Sequence, residues 1–166
     1  MICKNAIYWL FKEAIAFLLL FFTVTAYGQT HRIDSLRKKL ANATDTVRPF
    51  LLNKIAKEIS DSISVFPSSQ KDSLLGIAKD CVTEAEAMSR KFNYNRGIGI
   101  ALLLSGDIKV NLALKNFDKA IIDYTNALPF LRAPADMENR AYCFNSVASG
   151  CHFIGKLDSS IAYYDS

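Results

Sequence analysis

Cysteine and histidine are the side chains of this chain best suited to nucleophilic or metal chemistry, and they are sparse. Cys151 and His152 are adjacent, but neighbouring positions on a helix point about 100° apart and cannot form a nucleophile–base pair directly. Cys143 lies eight residues before Cys151, whereas zinc ligands are typically separated by roughly two to five residues. The spacing therefore predicts no metal site.

Two other patterns that could carry chemistry have simpler structural interpretations. Gly97 and Gly99 flank a single residue, but a phosphate-binding loop of this kind needs a third glycine and a preceding strand pattern. Asp118 and Asp158 each begin a helical pattern, where a carboxylate stabilises the positive end of the helix dipole. We therefore predict that the chain is not an enzyme and binds no cofactor.

The cysteines beyond residue 28 are expected to act as small hydrophobic side chains. Cys81, Cys143 and Cys151 all lie on the apolar faces of predicted helices. If Cys143 and Cys151 share one helix, about 12 Å separates them, which exceeds the roughly 7 Å limit for a disulfide. Buried free thiols are the expected outcome.

The first 28 residues differ in composition from the rest of the chain. Residues 14–28 form an uncharged run of 15 residues, which as a helix reaches about 22 Å and is shorter than the roughly 30 Å hydrocarbon core of a bilayer. Ala26 and Gly28 are the small residues that a cleavage before Gln29 requires. This pattern predicts a signal peptide over residues 1–28 and export to a periplasmic or secreted location. The alternative is an uncleaved membrane anchor over residues 7–28.

Charge and composition restrict the function of the remaining chain. The whole chain carries a net charge of +4, of which residues 1–28 contribute +1, so the remainder carries +3. That charge is too small and too dispersed for a nucleic-acid-binding surface. The hydrophobic fraction of 51% and the length of 166 residues predict one folded domain rather than a disordered chain.

The apolar spacing beyond residue 29 is helical throughout. Residues 29–46 are expected to form a short helix and a polar linker, and residues 47–166 the main domain. Within that domain the apolar residues predict helices at 50–59, 72–92 and 97–114, with a loop at 60–71 that contains Pro67 and five serines.

The last third of the chain contains an internal repeat. A stripe of apolar residues at helical spacing runs from Phe117 to Leu131. A shift of 40 residues keeps its phase, since Ile121 aligns with Ile161 and Tyr124 with Tyr164. A period of this size is typical of solenoids built from helix pairs.

The repeat resembles the tetratricopeptide repeat, a family of helix-pair modules. The resemblance implies an all-α, right-handed α-solenoid of about three helix pairs, at residues 47–92, 97–131 and 136–166. The repeat pattern alternates small residues with bulky residues, and the bulky ones are expected to fill the space between neighbouring repeats. The residues at these positions are Gly106, Phe117, Ala120, Tyr124, Ala127, Ala148, Leu157, Ser160 and Tyr164.

The resemblance also implies a function, which is binding a protein or peptide partner in a groove lined by the first helices of the repeats. Asn and Lys side chains in such grooves often hold a peptide carboxylate. The candidate groove residues of this chain are Lys109, Asn111, Asn145, Ser149 and His152. We therefore expect a protein-interaction module, with no nucleic-acid partner.

The arrangement of signal peptide, short helix and repeats resembles the exported sensor region of bacterial two-component sensor kinases and helix-turn-helix regulators. It implies the sensory or scaffold part of a signalling protein, and we expect a form truncated before any output domain. The last repeat has no further helix to cover Ile161 and Tyr164. The alternative expectation is therefore a structural scaffold that self-associates through this uncapped end.

Overall fold

The computed structural model describes residues 31–111 and 116–164. The predicted signal peptide or anchor of residues 1–28 lies outside the described residues. The described residues form an all-α fold without a strand, as the sequence predicts. The α-helices are α1 (31–40), α2 (Val47–Ser62), α3 (Ser68–Lys91), α4 (Asn95–Asn111), α5 (Phe117–Ala127), α6 (Met137–Phe153) and α7 (Leu157–Tyr164), with 3-10 turns at Ile63–Val65, Leu128–Phe130 and Pro134–Asp136.

Each helix from α2 onwards packs against the next one along the chain. Short connections turn the chain back, so that successive helices run antiparallel. Helix α2 also contacts α4, and α4 contacts α6. Helix α4 is therefore central, and this explains why its residues from Ala101 to Leu104 are all buried.

Two of the turns depend on a residue with a positive φ angle. Asn93 has a φ of +51° after α3, and Gly155 has a φ of +79° after α6. In each turn the next backbone N–H donates to a carbonyl five residues earlier, from Tyr94 to Ser89 and from Lys156 to Cys151. This bond pattern satisfies carbonyls that the end of the helix leaves free. The break that the sequence predicts between residues 92 and 97 is confirmed, although it is shorter, because α3 ends at Lys91 and α4 begins at Asn95.

The predicted loop over residues 60–71 is wrong. Helix α2 continues to Ser62 and α3 begins at Ser68, so only a short turn separates them. The serine content misled the prediction, because Ser62 Oγ donates to the Glu58 carbonyl within α2 and so fits a helical backbone. Pro67 has an extended ψ of 145° and sets the start of α3.

The core runs through the packed helices and uses small residues where helices approach closely. Ala78, Ala85 and Ala101 are completely buried between α2, α3 and α4. Larger side chains such as Ile59 and Leu131 fill the space between them. The core also contains the buried thiols of Cys143 and Cys151, as predicted, while Cys81 is half-buried; the three are free.

The repeat positions that we predicted from the sequence are buried only in part. Gly106, Ala120, Tyr124, Ala127, Ala148 and Ser160 are buried, and Phe117 is half-buried. Leu157 and Tyr164 are 56% and 57% exposed, so they fill no space between repeats within the described part of the chain, as the uncovered last repeat implies for Tyr164. Helix α7 packs on α6 through Ser160 and Tyr163, and Ser160 Oγ donates to the Ala148 carbonyl at 2.9 Å. The hydroxyl of Tyr164 reaches α6, where it lies 3.1 Å from Ser149 Oγ.

Among residues 31–111 and 116–164, no helix combines the length and the apolar character that crossing a bilayer requires.

Candidate functional site

A groove of about 350 Å³ opens between the end of α2 and helices α4, α5 and α6. Both polar and apolar side chains line it, so it could hold a partner segment of mixed character. The lining residues are Ser60, Asp61, Asp107, Val110, Asn111, Phe117, Ala120, Ile121, Tyr124, Tyr142, Asn145, Ser146, Ser149, Gly150 and Phe153.

Asp107 of the central helix α4 is the polar centre of this groove. The hydroxyls of Tyr124 on α5 and Tyr142 on α6 both donate to its Oδ1, at 2.7 and 2.9 Å. The two tyrosine rings meet edge to face, with their centroids 6.5 Å apart. One carboxylate therefore connects three helices through two charge-assisted hydrogen bonds.

The electrostatics of the groove follow from burial. Desolvation raises the pKa of Asp107, and this effect outweighs the two tyrosine hydrogen bonds, which lower that pKa. Burial and the charge of Asp107 also raise the pKa values of Tyr124 and Tyr142 well above their usual range. Both hydroxyls therefore remain protonated donors, and a positive charge nearby would stabilise the ionised form of Asp107.

Asp107 is expected to make the stability of the protein depend on pH. Its folded-state pKa is raised, so the folded protein binds this proton more tightly than the unfolded chain. The contribution of Asp107 to stability should therefore fall as the pH rises from about 4 through the folded-state pKa. The charged and titratable groups that face it are Lys57, Asp61, Tyr124 and Tyr142.

Urea unfolding of the wild type and of Asp107→Asn between pH 4 and pH 7 tests this expectation. The stability of Asp107→Asn relative to the wild type should increase with pH, and Asp118→Asn, at an exposed position, should run parallel to the wild type. A constant difference between Asp107→Asn and the wild type would contradict the raised pKa.

Gly106 allows Tyr124 to reach Asp107. A Cβ atom at Gly106 would lie 2.6–2.9 Å from three atoms of the Tyr124 ring, which is closer than side chains approach one another. The absence of a side chain on α4 at this position therefore determines where the ring of Tyr124 sits on α5.

Gly106→Ala is expected to destabilise the protein by about 1–3 kcal/mol, because the new methyl group displaces a buried ring. The matched control is Gly76→Ala in α3, where no atom lies within 4 Å of the added Cβ. That control should raise stability by up to about 1 kcal/mol through helix propensity alone. Thermal unfolding of both variants measures these changes in stability. A Gly106→Ala variant more stable than the wild type would contradict the close approach of Tyr124.

The far end of the groove is an aromatic surface. Phe117 on α5 and Phe153 on α6 stack with their centroids 4.9 Å apart and their planes 12° from parallel. Phe153 is 68% exposed, so this stack presents an apolar face to solvent next to the polar centre. An extended segment could place a polar group at Asp107 and an apolar side chain against this stack.

Three of the five groove residues proposed from the sequence lie together in this groove, namely Asn111, Asn145 and Ser149. Lys109 does not, because it pairs with Asp123 and lines a separate cavity beside α3. His152 is exposed on α6 and contacts the neighbouring Phe153 edge to face.

Sequence reasoning missed Asp107, Tyr142 and Asp61. Asp107 lies four residues before Asn111, which places both on one face of α4, and the Asn111 side chain donates to the Asp107 carbonyl at 3.0 Å. The four-residue spacing between Asp107 and Asn111 is the sequence signal that could have identified Asp107 as a groove residue. No comparable signal identifies Tyr142, because its distance from Asp107 depends on the packing of α6.

The thiols of Cys81 and Cys143 offer little reactivity in the folded state. Burial raises the pKa of Cys143 to about 12 and also raises the pKa of Cys81. Within the described ranges, no group of three or more His, Cys, Asp or Glu residues is placed to hold a metal ion.

The fold and the groove therefore define an all-α helical protein with a mixed polar and aromatic cleft. Comparison of the chain with protein-family models, with curated proteins and with solved structures finds no match.

Proposed function

We propose that this chain is a protein-interaction module that holds an extended segment of a partner protein in the groove around Asp107. The observation that carries this proposal is the groove itself. It combines hydrogen-bonding side chains from α4 and α6 with the exposed stack of Phe117 and Phe153. Peptide segments present backbone amides and alternating side chains, which match such a mixed lining.

We also propose that the helices form a solenoid of the tetratricopeptide type. The support is the contact pattern, in which each helix packs on the next and α4 packs on both α2 and α6. Arrays of helix pairs produce such contacts, and they leave a continuous cleft along one side. The 40-residue shift that aligns Tyr124 with Tyr164 supports the same arrangement.

Selection of a random library of linear peptides on the purified protein tests the binding proposal. Asn145→Arg fills the rim of the groove with a long side chain at an exposed position and should abolish binding of the selected peptides. The matched control is Asn126→Arg, the same change at an exposed position of α5 outside the groove, and it should leave binding intact. Peptides that bind both variants equally would contradict the proposed site.

Self-association is a second candidate function, and one observation favours it. Leu157, Ile161 and Tyr164 form a stripe on α7, and each is more than half exposed. Such a stripe can pair with another copy of the chain. Sedimentation should then show a concentration-dependent oligomer that Ile161→Glu dissolves, whereas a monomer at high concentration would contradict this function.

We further propose that the module is exported and serves as the sensory or scaffold part of a signalling protein. The support for export is the sequence pattern of residues 1–28, and the support for a sensory role is the resemblance of the chain to exported sensor regions. The intact mass of the native protein from separated cell fractions tests both. A periplasmic or secreted species that begins at Gln29 would support cleavage, whereas a membrane species that retains Met1 would support an anchor.

A further inference from the structure

Within the described part of the chain, the charged side chains that line the groove are both acidic. They are Asp61 and Asp107, and no described Lys, Arg or His residue lines it. Asp61 pairs with Lys57 at 2.9 Å, but both side chains are more than 60% exposed, so this pair is weak and can open. A partner segment that enters the groove therefore meets two carboxylates.

Asp107 has an unused acceptor. Both tyrosine hydroxyls donate to Oδ1, and among the described residues none donates a side-chain hydrogen bond to Oδ2. The two hydroxyls hold the carboxylate in one orientation, which reduces the entropy lost when a ligand binds. A guanidinium or an ammonium group is the donor that gains most from a fixed carboxylate.

The aromatic side chains add to this preference. Tyr142 is half exposed beside Asp107, so a cation that pairs with Asp107 can also contact this aromatic ring. The stacked Phe117 and Phe153 lie at the other end of the groove and suit an apolar side chain. A peptide carboxylate would instead face Asp107 and Asp61. Lys109, which the sequence resemblance proposed as its partner, pairs with Asp123 outside the groove.

We propose that the groove recognises a basic side chain, Lys or Arg, of an extended partner segment, with Asp107 as the charge partner and an adjoining apolar side chain on the Phe117–Phe153 stack. This inference rests on the proposed function of the groove and names the chemistry of its ligand. It replaces the carboxylate-binding chemistry that the sequence resemblance implied.

The same peptide selection, followed by affinity measurement, tests this inference. Selected peptides should contain Lys or Arg, and replacing that residue by norleucine, which keeps an aliphatic side chain but lacks the charged group, should weaken binding about tenfold or more. Asp107→Asn, which retains an acceptor oxygen for both tyrosines, should weaken binding similarly. In Asp107→Asn the norleucine replacement should have little further effect.

Asp118→Asn is the matched control, because Asp118 is exposed and lies outside the groove. It should leave the affinity unchanged. The affinity of the wild type should also fall as the salt concentration rises, because part of the attraction is between charges.

The possible outcomes separate the two proposals. If Asn145→Arg abolishes peptide binding but neither the norleucine replacement nor Asp107→Asn weakens it, the basic-ligand inference is overturned. The groove then remains a binding site. Peptides rich in Asp or Glu, or ending in a required free carboxylate, would overturn the inference in the same way. Binding that Asn145→Arg does not affect would overturn the proposed function itself.

Discussion

Ile59→Ala is expected to lower the free energy of unfolding by about 2–5 kcal/mol. Ile59 is completely buried on α2, which packs against both α3 and the central helix α4. The substitution removes buried apolar surface and leaves a cavity that the surrounding helices can fill only in part. Since small domains are stable by only about 5–15 kcal/mol, this one change removes a large share of that stability.

Urea unfolding followed by circular dichroism measures this loss, and Ile122→Ala provides the matched control. Ile122 lies on α5 and is 57% exposed, so the same substitution there should change stability by less than about 0.5 kcal/mol. Similar losses at the two positions would contradict the assignment of Ile59 to the core.

Tyr124→Ala is expected to cause a comparable loss, about 3–5 kcal/mol. Only 3% of the Tyr124 surface is exposed, and its ring packs beside Gly106 on α4. The substitution also removes one of the two hydroxyls that hold Asp107. We therefore expect this variant to lose both stability and peptide binding.

Two further variants separate these contributions. Tyr124→Phe keeps the ring and removes only the hydroxyl, so it should lower stability by about 1.5–3 kcal/mol, as expected for a hydrogen bond to a charged group. Tyr164→Ala makes the same change as Tyr124→Ala at the position 40 residues later. Because Tyr164 lies at the surface, that variant should lose less than about 0.5 kcal/mol, and an equal loss at both tyrosines would contradict this placement.

The contrast between these two tyrosines shows how far a sequence repeat predicts structure. Tyr124 and Tyr164 have the same residue type and the same helical phase, yet one is buried and the other exposed. Periodicity reports which face of a helix a residue occupies. Burial also requires another element to cover that face, and α6 covers Tyr124 from one side while Gly106 receives it on the other.

Local signals were sufficient for the helices themselves. The apolar spacing from Phe117 to Ala127 and the break at Asn93 were both readable from the chain, because helix periodicity and turn residues act over only a few positions. The predicted stripe extended to Leu131, but α5 ends at Ala127 and a 3-10 turn follows. Local signals failed between Ser60 and Lys71, where serine back-bonding and one proline allowed two helices to meet almost directly.

The amino-acid sequence by itself determined the all-α fold and the placement of Asn111, Asn145 and Ser149 on helices, since each depends on contacts within a few residues. Only the tertiary structure decided the character of the groove. Asp107 and Tyr142 are 35 residues apart in the chain, and their hydrogen bond exists because α4 and α6 are neighbours. The same packing turned Lys109 towards Asp123 and made the groove acidic, because a side chain's partners depend on which helices lie beside it.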